Sequence, residues 1–255
     1  MKISIITPVY NRKHCIADCI KSVLSQKYNN VEHIVIDGKS TDGTTHEIEF
    51  YKAKLACYIS ETDDGLYYAL NKGIHRATGD IIGILHSDDL FFSPETLNQI
   101  AEAFTFSGAD IVYANGVFVD QENIEKVKRL YPSKPFRKKY LNYGWIPLHT
   151  TIFVRREIYE NYGLYNPHFT IASDYEISLR WFKDDNIKKF FLNEWIVKMR
   201  LGGYSTSAKH QVKKSKQDLL IIKQYELKGW FTLACKIGRK IPQYIIPQIS
   251  GFQPN

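Results

Sequence analysis

The sequence predicts an α/β fold: a mostly parallel central sheet with helices on both faces, followed by a C-terminal helical extension. Three observations predict it. Short β-rich runs alternate with helical patterns through the first half. The runs are apolar throughout, as expected of strands covered on both faces. Polar and acidic residues gather just after the runs, where open parallel sheets bind ligands. At 255 residues, one large domain with an appendage fits better than two equal domains.

The first strand is Ile3–Thr7. A helix after Asn11 places Ile16, Ile20, Val23 and Leu24 on one face. His33–Asp37 is the second strand, Thr44–Ala53 a helix, Cys57–Ser60 the third strand and Leu66–Ala77 a helix stopped by Thr78-Gly79-Asp80. Ile81–Leu85 is the fourth strand. Pro94–Phe106 is a helix with proline in its first turn, and Ile111–Tyr113 is the fifth strand. The second half is less regular. Residues 131–148 read as loop or short helices, Thr151–Arg155 as a strand, Ser173–Lys183 as a helix, Trp195–Arg200 as a strand and Val212–Leu227 as a helix. The expected organisation is a domain over 1–206, with a nucleotide-binding half (1–114) and an acceptor half (115–206), and a basic amphipathic tail over 207–255.

The net charge of +7 is localised. Residues 209–240 hold nine of the 34 Lys and Arg but two of the 27 acids, so the rest of the chain is balanced at 25 of each sign. A surface that binds nucleic acid throughout is therefore not expected. The four cysteines (Cys15, Cys19, Cys57, Cys235) lack metal-ligand spacing and read as reduced thiols. The N-terminal apolar run breaks at Pro8, too short for a signal-peptide core or a span, so a cytoplasmic location is expected. In the tail, lysines 213, 214, 216 and 223 lie among Leu219–Ile222, and Trp230, Phe231, Leu233, Ile237, Ile241, Tyr244, Ile245 and Ile246 are interleaved with Lys and Arg. That composition suits an anionic headgroup boundary. It implies peripheral contact through 209–246 with the inner face of the plasma membrane. Packing on the body and contact within an oligomer are the other readings.

Asp88-Asp89, directly after the fourth strand, are adjacent carboxylates that repel unless a cation offsets them. Oxygen ligands there suit Mg²⁺ or Mn²⁺ bridging a diphosphate; the other reading is a pair capping a turn. Asp37 ends the second strand, where a carboxylate can accept hydrogen bonds from a base or ribose or hold a turn. Tyr10 can stack on a base or belong to the core. Asp174, opening the helix at 173, can take a proton from an acceptor hydroxyl or, like Ser173, cap that helix. Glu176 shares its turn. His149 at a strand start can contact the diphosphate, the metal or the acceptor, or be a structural histidine.

In this order the residues resemble glycosyltransferase family 2, the inverting GT-A (Rossmann-like) enzymes, from about residue 2 to residue 206. The matching motifs are Ser4-Ile5-Ile6-Thr7-Pro8-Val9-Tyr10-Asn11, Ile36-Asp37-Gly38-Lys39-Ser40-Thr41-Asp42-Gly43-Thr44, Asn71-Lys72-Gly73, Thr78-Gly79-Asp80 and Ser87-Asp88-Asp89. The resemblance implies transfer of a sugar from a nucleotide-diphosphate sugar, with UDP expected, to a hydroxyl of a glycan or lipid-linked saccharide. It implies that Pro8, Tyr10, Asn11 and Asp37 hold base and ribose, that Asp88 lies near ribose or diphosphate, that Asp89 ligates the metal and that Asp174 is the base. The stretch Ser60–Tyr67 looks like a subgroup from capsule, colanic acid and O-antigen clusters, in which Glu61, Asp63, Gly65, Tyr67, Asn71 and Lys72 lie near the donor. Gly202-Gly203-Tyr204-Ser205 matches a late motif near diphosphate or acceptor, and Gly203 and Glu176 are placed on that side. Tyr68 stands in place of that subgroup's Asp, Ser173 in place of the acid before the base, and His86 in place of Asn or Asp. Ile177 replaces the Gln of the processive synthases' Gln-x-x-Arg-Trp motif, so single addition of a hexosyl or N-acetylhexosaminyl unit is expected. The rivals are a sugar-phosphate nucleotidyltransferase, which would carry a Gly-rich loop where Pro8-Val9-Tyr10-Asn11 stand, and a nucleotide-sugar-binding homologue without turnover.

Overall fold

The computed structural model describes residues 1–202 and 208–250. β1 (Ile3–Val9) is buried at every position. Ile3 and Ile5 enter one core and Ile6 the core on the opposite face, which is why the run is apolar without alternation. α1 (Ile16–Leu24) turns Ile16, Cys19, Ile20 and Val23 inward. β2 (Val31–Asp37), α2 (Thr44–Glu49), β3 (Cys57–Ser60), α3 (Leu66–Arg76) and β4 (Ile81–Ile84) follow. β3, β2, β1 and β4 lie side by side and parallel, so their carboxyl ends open on one rim.

Past β4 the sheet becomes mixed. β5 (Leu90–Phe91) and α4 (Thr96–Ser107) precede β6 (Ile111–Val119) and β7 (Val127–Tyr131). β8 (Ile152–Arg155) leads into α5 (Arg156–Tyr162), and α6 (Ser173–Lys183) into β9 (Lys189–Arg200). β8 enters antiparallel between β4 and β6, β9 runs parallel to β6, and β5 closes the far edge antiparallel to β9. The strand expected over 111–113 continues to Val119 because Asn115-Gly116 stays in the ladder. A Cβ on Gly116 would stand 2.7 Å from Leu148 Cδ2, so glycine here marks close packing. α4 starts at Thr96, leaving Pro94 ahead of the helix, where its carbonyl accepts from Lys27 N at 2.9 Å. α2 ends at Glu49, and residues 52–54 form a separate 3₁₀ turn.

The C-terminal helices α7 (Ala208–Gln224) and α8 (Gly229–Gly238) share the principal core, and α9 (Lys240–Ser250) packs against β7. Ile221, Ile222 and Leu233 join the cluster that contains Ile6, Ile34 and Ile36. Thr232 Oγ1 donates to the Asn142 carbonyl at 2.8 Å. Lys236 Nζ lies 2.8 Å from Asp218 and 3.1 Å from the centre of the Tyr175 ring. Gly144, at φ +62°, leaves room for this docking, since its Cβ would stand 2.7 Å from the Thr232 carbonyl. On the outside of these helices Val212, Leu220, Trp230, Phe231, Ile237, Ile241 and Ile245 are exposed. All four cysteines are free thiols.

The end of the sheet opposite the rim is clamped by Glu32. It is buried, accepts from Ser4 Oγ (2.5 Å), Thr78 N (2.6 Å) and Thr78 Oγ1 (2.8 Å), and pairs with Lys2 at 2.5 Å. Gly79 is required there because a Cβ would lie 2.5 Å from Ser4 Oγ. Burial alone would raise the Glu32 pKa, but Lys2 and the hydrogen bonds outweigh it and hold the group at about 2. A depressed carboxylate pKa contributes stability above the unfolded value of about 4.3, lost as pH falls through the folded value. The unfolding free energy of the wild type should therefore exceed that of Glu32→Gln most at about pH 6, and urea titrations should find the gap narrowing by about pH 3.

Candidate active site

Each strand of the parallel half delivers polar residues to the rim. Pro8 is buried within β1, while Tyr10, just past its end, is 60% exposed. Asn11 adopts φ +51°, a left-handed conformation that asparagine tolerates. Its N–H donates to Ser40 Oγ at 2.8 Å and its Oδ1 accepts from Thr41 N at 2.9 Å. Asp37 is fully buried and accepts from Ser40 Oγ (2.5 Å), Ser60 Oγ (2.6 Å) and Ser40 N (3.2 Å). Its carboxylate thus braces the loops under Tyr10 and Asn11.

After β3, Lys72 Nζ lies 2.5 Å from Glu61 and 2.6 Å from Asp63. Asp63 Oδ1 is used in that pair, and Oδ2 is buried without a partner. Asn71 is turned elsewhere: its Nδ2 donates to the Tyr165 carbonyl at 2.8 Å and its Oδ1 accepts from Tyr165 N at 3.0 Å. These two bonds anchor the loop ahead of α6 to α3 and leave the amide its second N–H.

After β4, Asp88 is partly exposed and stands 3.7 Å from Arg12 Nε. Asp89 is 1% exposed; Oδ1 accepts from Arg200 N at 3.3 Å and Oδ2 is buried with no donor. Burial first, then the neighbouring Asp88 charge, pushes the Asp89 pKa well above the usual carboxylate range against the opposing pull of Arg200. A buried carboxylate oxygen without a donor fits a cation ligand. Among the described residues no three His, Cys, Asp or Glu side chains form a metal-holding group. A hard divalent ion bound by one or two carboxylates and completed by substrate phosphate oxygens matches that donor set.

The second half adds α6. Asp174, in its first turn, accepts from Tyr67 OH at 3.2 Å, and its Oδ2 is 3.5 Å from His149 Nδ1. Burial would raise its pKa; the charges of Lys214, His149 and Lys236, with a backbone donor, outweigh it and bring the group to about 2. His149 Nε2 meets His86 Nε2 at 2.8 Å, which joins the strand-four rim to α6. Glu176 departs from its expected place. It is about 200° around the helix from Asp174, buried against Arg180 (2.5 Å) and Tyr225 OH (2.5 Å) at the contact with α7. Gly203, with Tyr204 and Ser205, lies outside the described residues.

Arg200 escapes sequence reasoning. It ends β9, gives Nη2 to Asp18 at 2.7 Å and Nη1 to the Asp88 carbonyl at 3.3 Å, and reaches Asp89 through its backbone N–H. No local signal reveals pairs 112 or 182 residues apart. Tyr67 and Arg12, which touch Asp174 and Asp88, are missed as partners for the same reason.

The chain matches the family described as glycosyl transferase family 2 over residues 4–163. It is 32% identical to an uncharacterized glycosyltransferase of Mycobacterium tuberculosis over 70% of this chain and 68% of that one. To a PGL/p-HBAD biosynthesis glycosyltransferase of Mycobacterium bovis it is 27% identical over 71% and 70% of the two chains. S. aureus TarS in complex with UDP-GlcNAc shares the fold with a TM-score of 0.66 at 17% identity, covering 98% of this chain and 74% of that one. A mannosyltransferase of Pyrobaculum calidifontis in complex with GDP-Man and Mn²⁺ does so with a TM-score of 0.60 at 16% identity, over 99% and 76%.

Removing Arg200 leaves Asp18 unpaired and loosens the Asp88-Asp89 loop. Arg200→Ala should destabilise by about 1–3 kcal/mol, read as a lower urea midpoint at an unchanged denaturant slope.

Proposed function

This chain belongs to glycosyl transferase family 2 and has the GT-A fold, and on that premise we propose that it moves a hexosyl or N-acetylhexosaminyl unit from a UDP-sugar to a hydroxyl of a glycan or lipid-linked saccharide in bacterial surface-polysaccharide assembly. The observation that carries the reading is the meeting of two groups at one rim: the Asp88-Asp89 pair, with its orphaned buried oxygen, and Asp174, held by Tyr67 and His149. Tyr10 offers an open ring for the base. Asn11 and Asp37 hold the loops beneath it through Ser40, Pro8 is buried within β1 ahead of it, and Lys72 paired with Asp63 is assigned to the donor side.

The acceptor hydroxyl attacks the anomeric carbon as Asp174 takes its proton. The bond from that carbon to the diphosphate oxygen breaks, and one displacement inverts the centre. Asp89 would hold Mn²⁺ or Mg²⁺, which when bound would supply positive charge to offset that building on the leaving diphosphate. Asp174 is ionised at neutral pH because its pKa is held at about 2, so it is ready to accept. UDP and UDP-GlcNAc in TarS complexes support a UDP-sugar, and Mn²⁺ in the Pyrobaculum complex supports the cation.

The same reading places the enzyme at an anionic membrane surface where lipid-linked acceptors lie. Trp230, Phe231, Ile237, Ile241 and Ile245 are exposed on α8 and α9 beside Lys228, Arg239 and Lys240, and no described helix is long and apolar enough to cross a membrane. Exposed aromatic and aliphatic side chains with cations close by in the chain, Lys228 exposed and Arg239 and Lys240 half-buried, support a headgroup-boundary role.

A thermal-shift screen of UDP-glucose, UDP-galactose, UDP-N-acetylglucosamine and GDP-mannose with Mn²⁺ identifies the donor, which at about 100 times its Kd adds about 2.7 kcal/mol of stability. Asp89→Ala should lose Mn²⁺-dependent donor stabilisation and transfer. Asp174→Asn should keep donor stabilisation and lose transfer; full turnover in that variant rejects Asp174 as the base. Because Ile221, Ile222 and Leu233 belong to the core, truncation is a poor membrane test. The double variant Trp230→Ser, Ile241→Ser should instead release the folded protein from phosphatidylglycerol vesicles in sedimentation, and equal, salt-insensitive recovery of both proteins in the supernatant would reject membrane docking.

A further inference from the structure

The transfer reading gives Asp174 the proton but leaves the contact between His86 and His149 without a task. His86 follows β4, ahead of the Asp88-Asp89 pair; His149 opens the 3₁₀ turn at 149–151; Asp174 opens α6. Three segments therefore converge on one chain of side chains. Its links are Asp174 Oδ2 to His149 Nδ1 at 3.5 Å and His149 Nε2 to His86 Nε2 at 2.8 Å. The two rings meet edge to face with centroids 5.0 Å apart. Asp174 Oδ1 is fixed separately by Tyr67 OH.

The protons on this chain are dictated by its end. An ionised carboxylate attracts a positive N–H edge, so with Oδ2 at 3.5 Å the His149 tautomer that carries its proton on Nδ1, toward Asp174, is favoured. A neutral His149 then has a bare Nε2, and the contact at 2.8 Å requires the donor to be His86 Nε2–H. Protonation of both Nε2 atoms would set two N–H groups against each other at that distance. Burial also disfavours an imidazolium at His149, holding that ring at about 4. One tautomer of each ring satisfies every contact, and a ring so fixed has no freedom to swing away from Asp174.

We propose that His149, locked by His86, is a positioning residue that aims the Asp174 carboxylate at the acceptor hydroxyl and ties that aim to the donor loop after β4. This rests on Asp174 being the base. The histidine at 86, which replaces a more familiar acid or amide, is then the donor that fixes the tautomer of its neighbour. Asp174 is oriented from both sides, by Tyr67 on one oxygen and by the His149–His86 pair on the other.

The test uses the full-length protein labelled with ¹⁵N-histidine. At neutral pH, imidazole spectra should find His149 in the Nδ1–H form and His86 in the Nε2–H form. Asp174→Asn, whose amide can also donate, should move the resonances of both rings, although His86 does not touch residue 174. Averaged tautomers in both rings, or a His86 signal unmoved by Asp174→Asn, would overturn the proposal. Kinetics with the UDP-sugar selected by the thermal screen give a second reading. His149→Leu should lower kcat about a hundredfold with little change in donor KM, and His149→Asn, which keeps a donor near the Nδ1 position, should recover much of it. Full turnover in Asp174→Asn would reject the base and this proposal together. An inactive Asp174→Asn beside a fully active His149→Leu would reject the positioning role alone.

Discussion

The rim depends on Arg200. Without a cation from the end of β9, the two adjacent carboxylates of the loop after β4 would face no positive charge from the second half of the chain, which otherwise reaches that loop through the neutral contact of His149 with His86. Arg200 supplies a backbone N–H to Asp89, a side-chain N–H to the Asp88 carbonyl and an ion pair to Asp18 on α1. One residue thus joins the first helix, the diacid loop and the last strand of the sheet. Because its side chain is 7% exposed, the pair with Asp18 is only weakly screened at the guanidinium end, while Asp18 remains partly hydrated. Arg200 leaves Asp89 Oδ2 unanswered, and that oxygen is where a bound cation would complete the balance.

The same charge logic runs through the second half. The basicity concentrated near the C-terminus is partly directed inward. Lys236 is buried with Asp218 and against the face of Tyr175, and with Lys214 it lowers the pKa of Asp174. A carboxylate at a helix start is already favoured by the N–H groups of the first turn. Cations from α7 and α8 add to that field from the opposite side. The C-terminal helices therefore act on Asp174 through electrostatics as well as on the body through packing, and their inward face cannot be removed without unburying Ile221, Ile222 and Leu233.

Much of the first half was legible because one cause, burial on both faces, writes an apolar run into β1, β4 and most of β2, while the edge strand β3 is only partly buried. Cys57–Ser60 and Ser173–Lys183 coincide with the expected segments, and the polar residues after β1 to β4 do gather at one rim. What was not legible depends on partners distant in sequence. β5 has two residues and exists because β9 pairs with it; β8 reads as a strand, yet its antiparallel place between β4 and β6 has no local signature. Asn71 and Glu176 illustrate the limit at the site. Both residue types suit ligand contact, but tertiary structure directs one to the Tyr165 backbone, and helix phase turns the other toward Arg180 and Tyr225.

The C-terminal helices resolve an apparent conflict between packing and docking. A helix that packs on the body and one that docks on a surface would each need an apolar stripe, and a short amphipathic helix ordinarily has one. α8 has two. Thr232 and Leu233 face the core, while Trp230 is 71% exposed and Ile237 half exposed. Leaving Trp230 in water costs hydrophobic free energy that a soluble surface would avoid by substitution, and the neighbouring Lys228, Arg239 and Lys240 supply charge of one sign. Isolated exposed apolar side chains need no explanation, but on α8 and α9 they recur along helices whose inner residues are already satisfied by the body. On the proposed function that outer stripe is the part of the tail that would meet an anionic headgroup layer, while the inner one holds the helix to the body.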